Sequence, residues 1–217
     1  MKIELTFERM LFLMLAFAGG MIVVRFFYSG QYLFFFLIWN LFLAWLPLFI
    51  SRLFNGLHKA HLIKQLIVLC IWQLLFPNAL YLVTDIIHLP AKTAVPVWFD
   101  AVMLFSTAVT GLVMAYVSLL RLEVYLKKRF SNAIVNLIIA VVLFLGSFGV
   151  YLGRFLRWNS WDIISNPAGL LYQVMHRFMF PFLHERTWGI TIMFFAFFWL
   201  LWLLIKKTPG SFNRASV

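Results

Sequence analysis

The sequence predicts an all-α, polytopic transmembrane helix bundle. Three observations carry that reading. Hydrophobic residues make up 64% of the 217 positions and charged residues only 12%, with a mean hydropathy of +0.95. The apolar runs are continuous, whereas barrel strands would alternate over segments of about 10 residues. The remaining polar residues gather between the runs. A spanning helix needs roughly 20 apolar residues, and runs of that order fill most of the chain. Lipid is therefore the solvent.

Six spans follow in order, in a single transmembrane domain over 1–217. The first is expected at 10–27, after Lys2, Glu4, Glu8 and Arg9. No small-residue cleavage site precedes Arg25, so it reads as an uncleaved span and not as a removed signal peptide. The second is expected at 33–50 and the third at 62–83, with Pro77 inside it. The fourth, at 99–120, carries Ala108, Gly111, Ala115 and Ser118 at helical spacing, and the fifth, at 133–152, ends near Gly149 and Gly153. Small residues let backbones approach closely where no hydrophobic effect drives association. The sixth is expected at 188–205. Asn40, Gln73 and Asn136 read as interhelical hydrogen-bonding amides, each worth about 0.6–2 kcal/mol.

Only the connection 153–187 is long. Within it, 167–182 is apolar on one side and carries Gln173, His176 and Arg177 on the other. That pattern predicts an interfacial or partly inserted helix, not a seventh span. Tyr28, Tyr32, Trp98, Trp158, Trp161 and Trp188 stand near span ends, where aromatic belts form.

Alternating the connections places Arg25, Lys92, Arg154, Arg157, Arg177 and Arg186 on one side and the other twelve of the 18 Lys and Arg with the termini. The positive-inside bias makes both termini cytoplasmic. The net charge of +11 is scattered between apolar runs, so membrane lipids are the expected partners and nucleic acid is not. One cysteine, Cys70, excludes an internal disulfide. No Gly-x-Ser-x-Gly elbow or phosphate-cradling glycine loop appears, and Ser106 and Ser147 read as packing residues. His58 and His61 belong to a basic, solvated loop.

The polar residues opposite the termini form a constellation. Asn78, Tyr81, Asp85 and His88 are spaced 3, 4 and 3 apart, so a continuing α-helix would line them up. Pro77 removes a backbone hydrogen bond and favours a kink there. Asp100 opens the fourth span, where free backbone N–H groups favour a carboxylate. A helix continued past the fifth span would align Tyr151, Arg154, Trp158 and Trp161, with Arg157, Asn159 and Asp162 beside them. His184, Glu185 and Arg186 precede the sixth span. Arginine matches carboxylate or phosphate oxygens with a planar fork, and ionisable groups near the membrane are functional candidates. Asp85 and His88 are the candidates for proton exchange or catalysis. A catalytic zinc takes three protein ligands. Asp85 and His88 would supply two, with Asp100 or His184 as third, but no His-Glu-x-x-His run supports a metal.

Particular stretches carry a resemblance. They are Trp39-Asn40-Leu41-Phe42-Leu43-Ala44-Trp45-Leu46-Pro47, Phe76-Pro77-Asn78-Ala79 with Tyr81, Asp85 with His88-Leu89, and Trp98-Phe99-Asp100. The run from Ser147 through Tyr151, Gly153, Arg154 and Arg157 to Trp158-Asn159-Ser160-Trp161-Asp162 is the most specific. Together they resemble an uncharacterised domain-of-unknown-function family of bacterial polytopic membrane proteins, over about 35–205. The resemblance implies a bacterial inner-membrane location and no activity or cofactor.

The function expected first is binding of an anionic small molecule or lipid headgroup in an outward-facing polar pocket, in lipid handling or small-solute transport. Arg154 and Arg157 would hold the anion, Asp85 and His88 would orient it or exchange a proton, and the tryptophans would shape the rim. The alternatives are an intramembrane enzyme, metal-dependent or not, acting on a lipid or lipid-linked substrate, and an accessory subunit of a membrane complex.

Overall fold

The computed structural model describes residues 2–89 and 95–215, with side chains described at 7–89 and 95–207. Lys92 lies outside the described residues, as do the side chains of Lys2, Glu4 and Arg214. The described residues form helices and no strands. In order these are α1 (Lys2–Ser29), α2 (Phe36–Ser51), α3 (Phe54–Leu57), α4 (Leu62–Tyr81), a 3-10 helix (Leu82–His88), α5 (Val97–Leu126), α6 (Asn132–Leu156), α7 (Asp162–Ser165), α8 (Pro167–Met179), a second 3-10 helix (Pro181–His184) and α9 (Glu185–Ala215).

Six segments are long and apolar enough to cross a membrane: Phe7–Ser29, Phe36–Leu57, Leu62–His88, Val97–Leu126, Asn132–Leu156 and Pro181–Lys207. In lipid every backbone polar group must be satisfied within its own segment, and a helix does this without a partner strand. That makes helix the local solution for each apolar run. The outward apolar surface fits the same solvent, with Phe12, Phe27, Ile87 and Leu204 all well exposed. The fold is thus an all-α, multi-pass membrane bundle. Helix α8 has 13 residues, which is about 20 Å of helix and short of the roughly 30 Å hydrocarbon core. It is not a span.

The chain divides into two compact units, Met1–Leu122 and Glu123–Val217. In the first, α2 packs along α4. Trp72 is buried between Phe54 and Phe76, at ring centroid distances of 5.7 and 4.7 Å. A second cluster joins Ile22, Phe34, Leu37, Met103 and Leu104. The small-residue stripe of α5 is buried at Ala108, Ala115 and Ser118. At Gly111 a Cβ would stand 2.5 Å from Leu82 Cδ1 and 2.8 Å from the Ala79 carbonyl oxygen. Glycine is what lets α5 approach the end of α4. Arg121 Nη1 donates to the Leu48 carbonyl and the Ser51 hydroxyl, both at 3.1 Å, and so closes the C-terminal end of α2.

In the second unit, α6 packs along α9. Trp188 stacks on Phe144 and Phe148 and meets Phe178 edge-on at 5.0 Å. Glu123 pairs with Lys127 four residues on and with Lys206 of α9. Asn136 departs from the sequence expectation because it is exposed. The buried stripe of α6 runs through Val135, Ile139 and Leu143, and position 136 falls off that stripe near the start of the helix.

Candidate functional site

In the first unit, the α-helical face anticipated from Asn78 to His88 does not persist. The chain stays α-helical through Pro77 to Tyr81 and then tightens to a 3-10 helix over Leu82–His88. Thr84 Oγ1 donates to the Tyr81 carbonyl at the junction, at 2.6 Å. Three residues per turn line up Leu82, Asp85 and His88 instead. Asn78 turns back on its own helix, donating from Nδ2 to the Leu75 carbonyl at 3.0 Å.

Asp85 has no exposed surface and accepts a hydrogen bond from Asn40 Nδ2 at 3.0 Å. His88 is exposed, with its ring edge-on to Phe36 at 5.2 Å. Tyr81 is half-buried. An apolar groove runs nearby, lined by Ile86, Leu89, Ala101, Val102, Leu104 and Phe105, and its wall includes neither Asp85 nor His88.

Asp100 lies in the first turn of α5, and its carboxylate is held by Arg25 of α1. Arg25 Nε donates to Oδ1 at 2.7 Å and Nη2 to Oδ2 at 3.2 Å. The two side chains are 1% and 0% exposed. The guanidinium lies over the Phe34 ring at 4.4 Å, with the Ser29 hydroxyl 3.5 Å from Nη1. A planar fork on a carboxylate is the strong form of this contact. It is also the form that makes a charge tolerable away from water.

In the second unit, α6 ends at Leu156 and not beyond. Arg157 follows with φ 61° and ψ 29°, the one positive-φ non-glycine among the described residues. The backbone N–H groups of Arg157 and Trp158 both donate to the Leu152 carbonyl. This left-handed step ends the helix, so Trp158 and Trp161 leave the face that carries Tyr151 and Arg154. Tyr151 is buried and stacks on Phe155 at 5.3 Å.

Asp162 is committed to its own turn. Its Oδ2 accepts from the Asn159 backbone N–H at 2.7 Å and its Oδ1 from the Ser165 hydroxyl at 2.9 Å. Asn166 then caps α8 by accepting from the Gly169 N–H, with Pro167 in the first turn. Helix α8 ends in a histidine contact, with His176 Nδ1 and His184 Nε2 2.7 Å apart. Arg177 is 6% exposed, and its Nη1 reaches only the Gln173 carbonyl and side-chain oxygen on its own helix. Its Nε is buried without a hydrogen-bond partner among the described residues.

Residues 39–201, about three quarters of the chain, match the family described as Protein of unknown function (DUF1361). The chain belongs to the DUF1361 family. Every stretch that carried the resemblance, from Trp39 to Asp162, falls inside the matched segment of this DUF1361 protein. No curated protein and no solved structure matches the chain.

Of the residues singled out from the DUF1361 sequence, Asn78, Tyr81, Asp85, His88 and Asp100 belong to the first unit. Tyr151, Arg154, Arg157, Trp158, Asn159, Trp161 and Asp162 belong to the second. Arg25 and Arg177 were missed as site residues, because Arg25 was counted only as a charge that orients the chain and Arg177 only as such a charge on the polar side of the helix at 167–182. Arg25 had a signal, since a charge inside an apolar helical run needs a partner in another span. Asp100 stood at the start of such a span. Asn40 was legible as an interhelical hydrogen-bonding amide, and its acceptor is Asp85. No group of three or more His, Cys, Asp or Glu able to hold a metal occurs among the described residues.

Proposed function

We propose that this DUF1361 protein sits in the bacterial cytoplasmic membrane with both termini cytoplasmic. In this reading it binds an anionic small molecule or lipid headgroup on the opposite side, for lipid handling or small-solute transport. The bacterial location rests on the family resemblance and the orientation on the bias of Lys and Arg. The anion reading rests on the connection 153–187. That segment holds Arg154, Arg157, Arg177 and Arg186 against two acids, Asp162 and Glu185, and the Asp162 carboxylate is occupied by its own turn.

The observation that carries the reading is Arg157. A non-glycine residue in the left-handed region costs about 1 kcal/mol or more, and glycine would end the helix without that cost. An arginine in that place sets a fixed charge at the end of α6. Its charge, its exposed position and the neighbouring Arg154 suit an anion. The planar guanidinium fork suits phosphate or carboxylate oxygens in particular.

The test is mass spectrometry of the native protein released from mild detergent. The expected result is a retained anionic lipid or small anion. Its occupancy should fall at least tenfold in the R154Q/R157Q double variant. Unchanged occupancy in that variant would refute the reading. A fluorescent-protein fusion at the C-terminus checks orientation and should fold and fluoresce on the cytoplasmic side.

A further inference from the structure

We propose that Arg177, His176 and His184 form a binding site for a phosphate-type oxyanion at the junction of α8 and α9. The inference rests on the anion-binding reading above, which counts Arg177 only toward the charge of the segment and gives His176 and His184 no role. Arg177 is almost wholly buried, is paired with no carboxylate among the described residues, and leaves its Nε–H without an acceptor. A guanidinium is always charged and carries five donors in a rigid fork. A buried charge of this kind requires a counter-charge. Among the described residues its hydrogen bonds go only to Gln173 oxygens, through a single nitrogen.

The surroundings supply more donors, and the acid next in sequence, Glu185, is exposed. The guanidinium and the His176 ring both lie within electrostatic reach of His184. Between the two rings one N–H donates to one bare nitrogen across 2.7 Å. The outer nitrogens of the pair, His176 Nε2 and His184 Nδ1, stay available. One proton taken up by the pair turns both of them into donors. Tyr172 and Phe180 flank the His176 ring at 5.5 and 5.0 Å, which fixes its plane. The cluster therefore offers a forked cation and imidazole donors to a group with several oxygens. The fixed positive charge of Arg177 counts against a metal ion between the rings.

Two sources share this chemistry, namely free phosphate and the phosphate of a glycerophospholipid headgroup. The experiment uses the full chain in mild detergent with two probes. Inorganic phosphate is titrated by equilibrium dialysis, and phosphatidylglycerol retention is read by native mass spectrometry. Saturable phosphate binding identifies the free ion as ligand, whereas lipid retention without phosphate binding identifies the headgroup. Either supports the site, provided R177Q lowers the binding at least tenfold. R177K should lower it less, and H184Q several-fold.

Because R177Q removes a buried group, H184Q carries the test if R177Q does not purify as a folded protein. Binding unchanged in H184Q and R177Q, or absent with both probes, overturns the proposal. So does stoichiometric divalent metal in the purified protein that H184Q abolishes. Loss of binding in R154Q/R157Q with R177Q unaffected overturns this site while leaving the reading built on Arg154 and Arg157 intact.

Discussion

Replacing Asp100 with alanine would strand the Arg25 guanidinium where only 1% of it meets solvent. At that burial solvent does not screen the pair. Two donors lose their acceptor at once, one at 2.7 Å and one at 3.2 Å. What remains is the Phe34 ring at 4.4 Å and a Ser29 hydroxyl at 3.5 Å. Breaking a buried pair in this way costs about 3–5 kcal/mol, which is roughly two to four decades in the folding equilibrium. Removing both partners behaves differently. The R25M/D100L variant takes away both charges and keeps apolar volume, so it should lie within about 1 kcal/mol of the parent or be more stable. The assay is reversible unfolding in mixed micelles, followed by tryptophan fluorescence, for the parent, D100A, R25A and the double alanine variant. A coupling energy of at least about 2 kcal/mol is expected from the cycle. Coupling below about 0.5 kcal/mol would refute the argument that these two residues hold each other in the bundle.

Other consequences can be read with the same methods. Gly111→Ala pushes a methyl against the Ala79 carbonyl and Leu82. It should lower stability by about 1–3 kcal/mol as an overpacked contact, and an unchanged melting temperature would show that the helices do not approach there. Asn40→Leu removes a donor from the buried Asp85 carboxylate. The loss should be about 1.5–3 kcal/mol, as for a hydrogen bond to a charged group, and Asp85→Asn in the same background should recover part of it. Arg157→Gly relieves the left-handed backbone at φ 61°. Stability should rise by up to about 1 kcal/mol while retention of the anion falls. A gain in stability with no loss of retention would leave Arg157 only a helix-ending role.

The sequence by itself determined that the chain is a bundle of six apolar helices with a short amphipathic one in the long connection. Each run had to satisfy its own backbone in lipid, and that requirement is local. The small-residue stripe at Ala108, Gly111, Ala115 and Ser118 was legible for a similar reason, because close backbone approach needs small side chains whatever the neighbour. Only the tertiary structure decided which groups meet. Arg25 and Asp100 stand 75 positions apart, and Asn40 and Asp85 stand 45 apart. Nothing in hydropathy says which apolar helices lie side by side. The tightening of the chain at Leu82 and the reversal at Arg157 were also hidden, since neither carries a glycine or proline at the step itself. These two backbone choices redirect Asp85, His88, Trp158 and Trp161 away from the faces an unbroken α-helix would give them. Hydropathy fixes how much of the chain enters the membrane, whereas the pairing of a few buried charges depends on neighbours that only folding supplies.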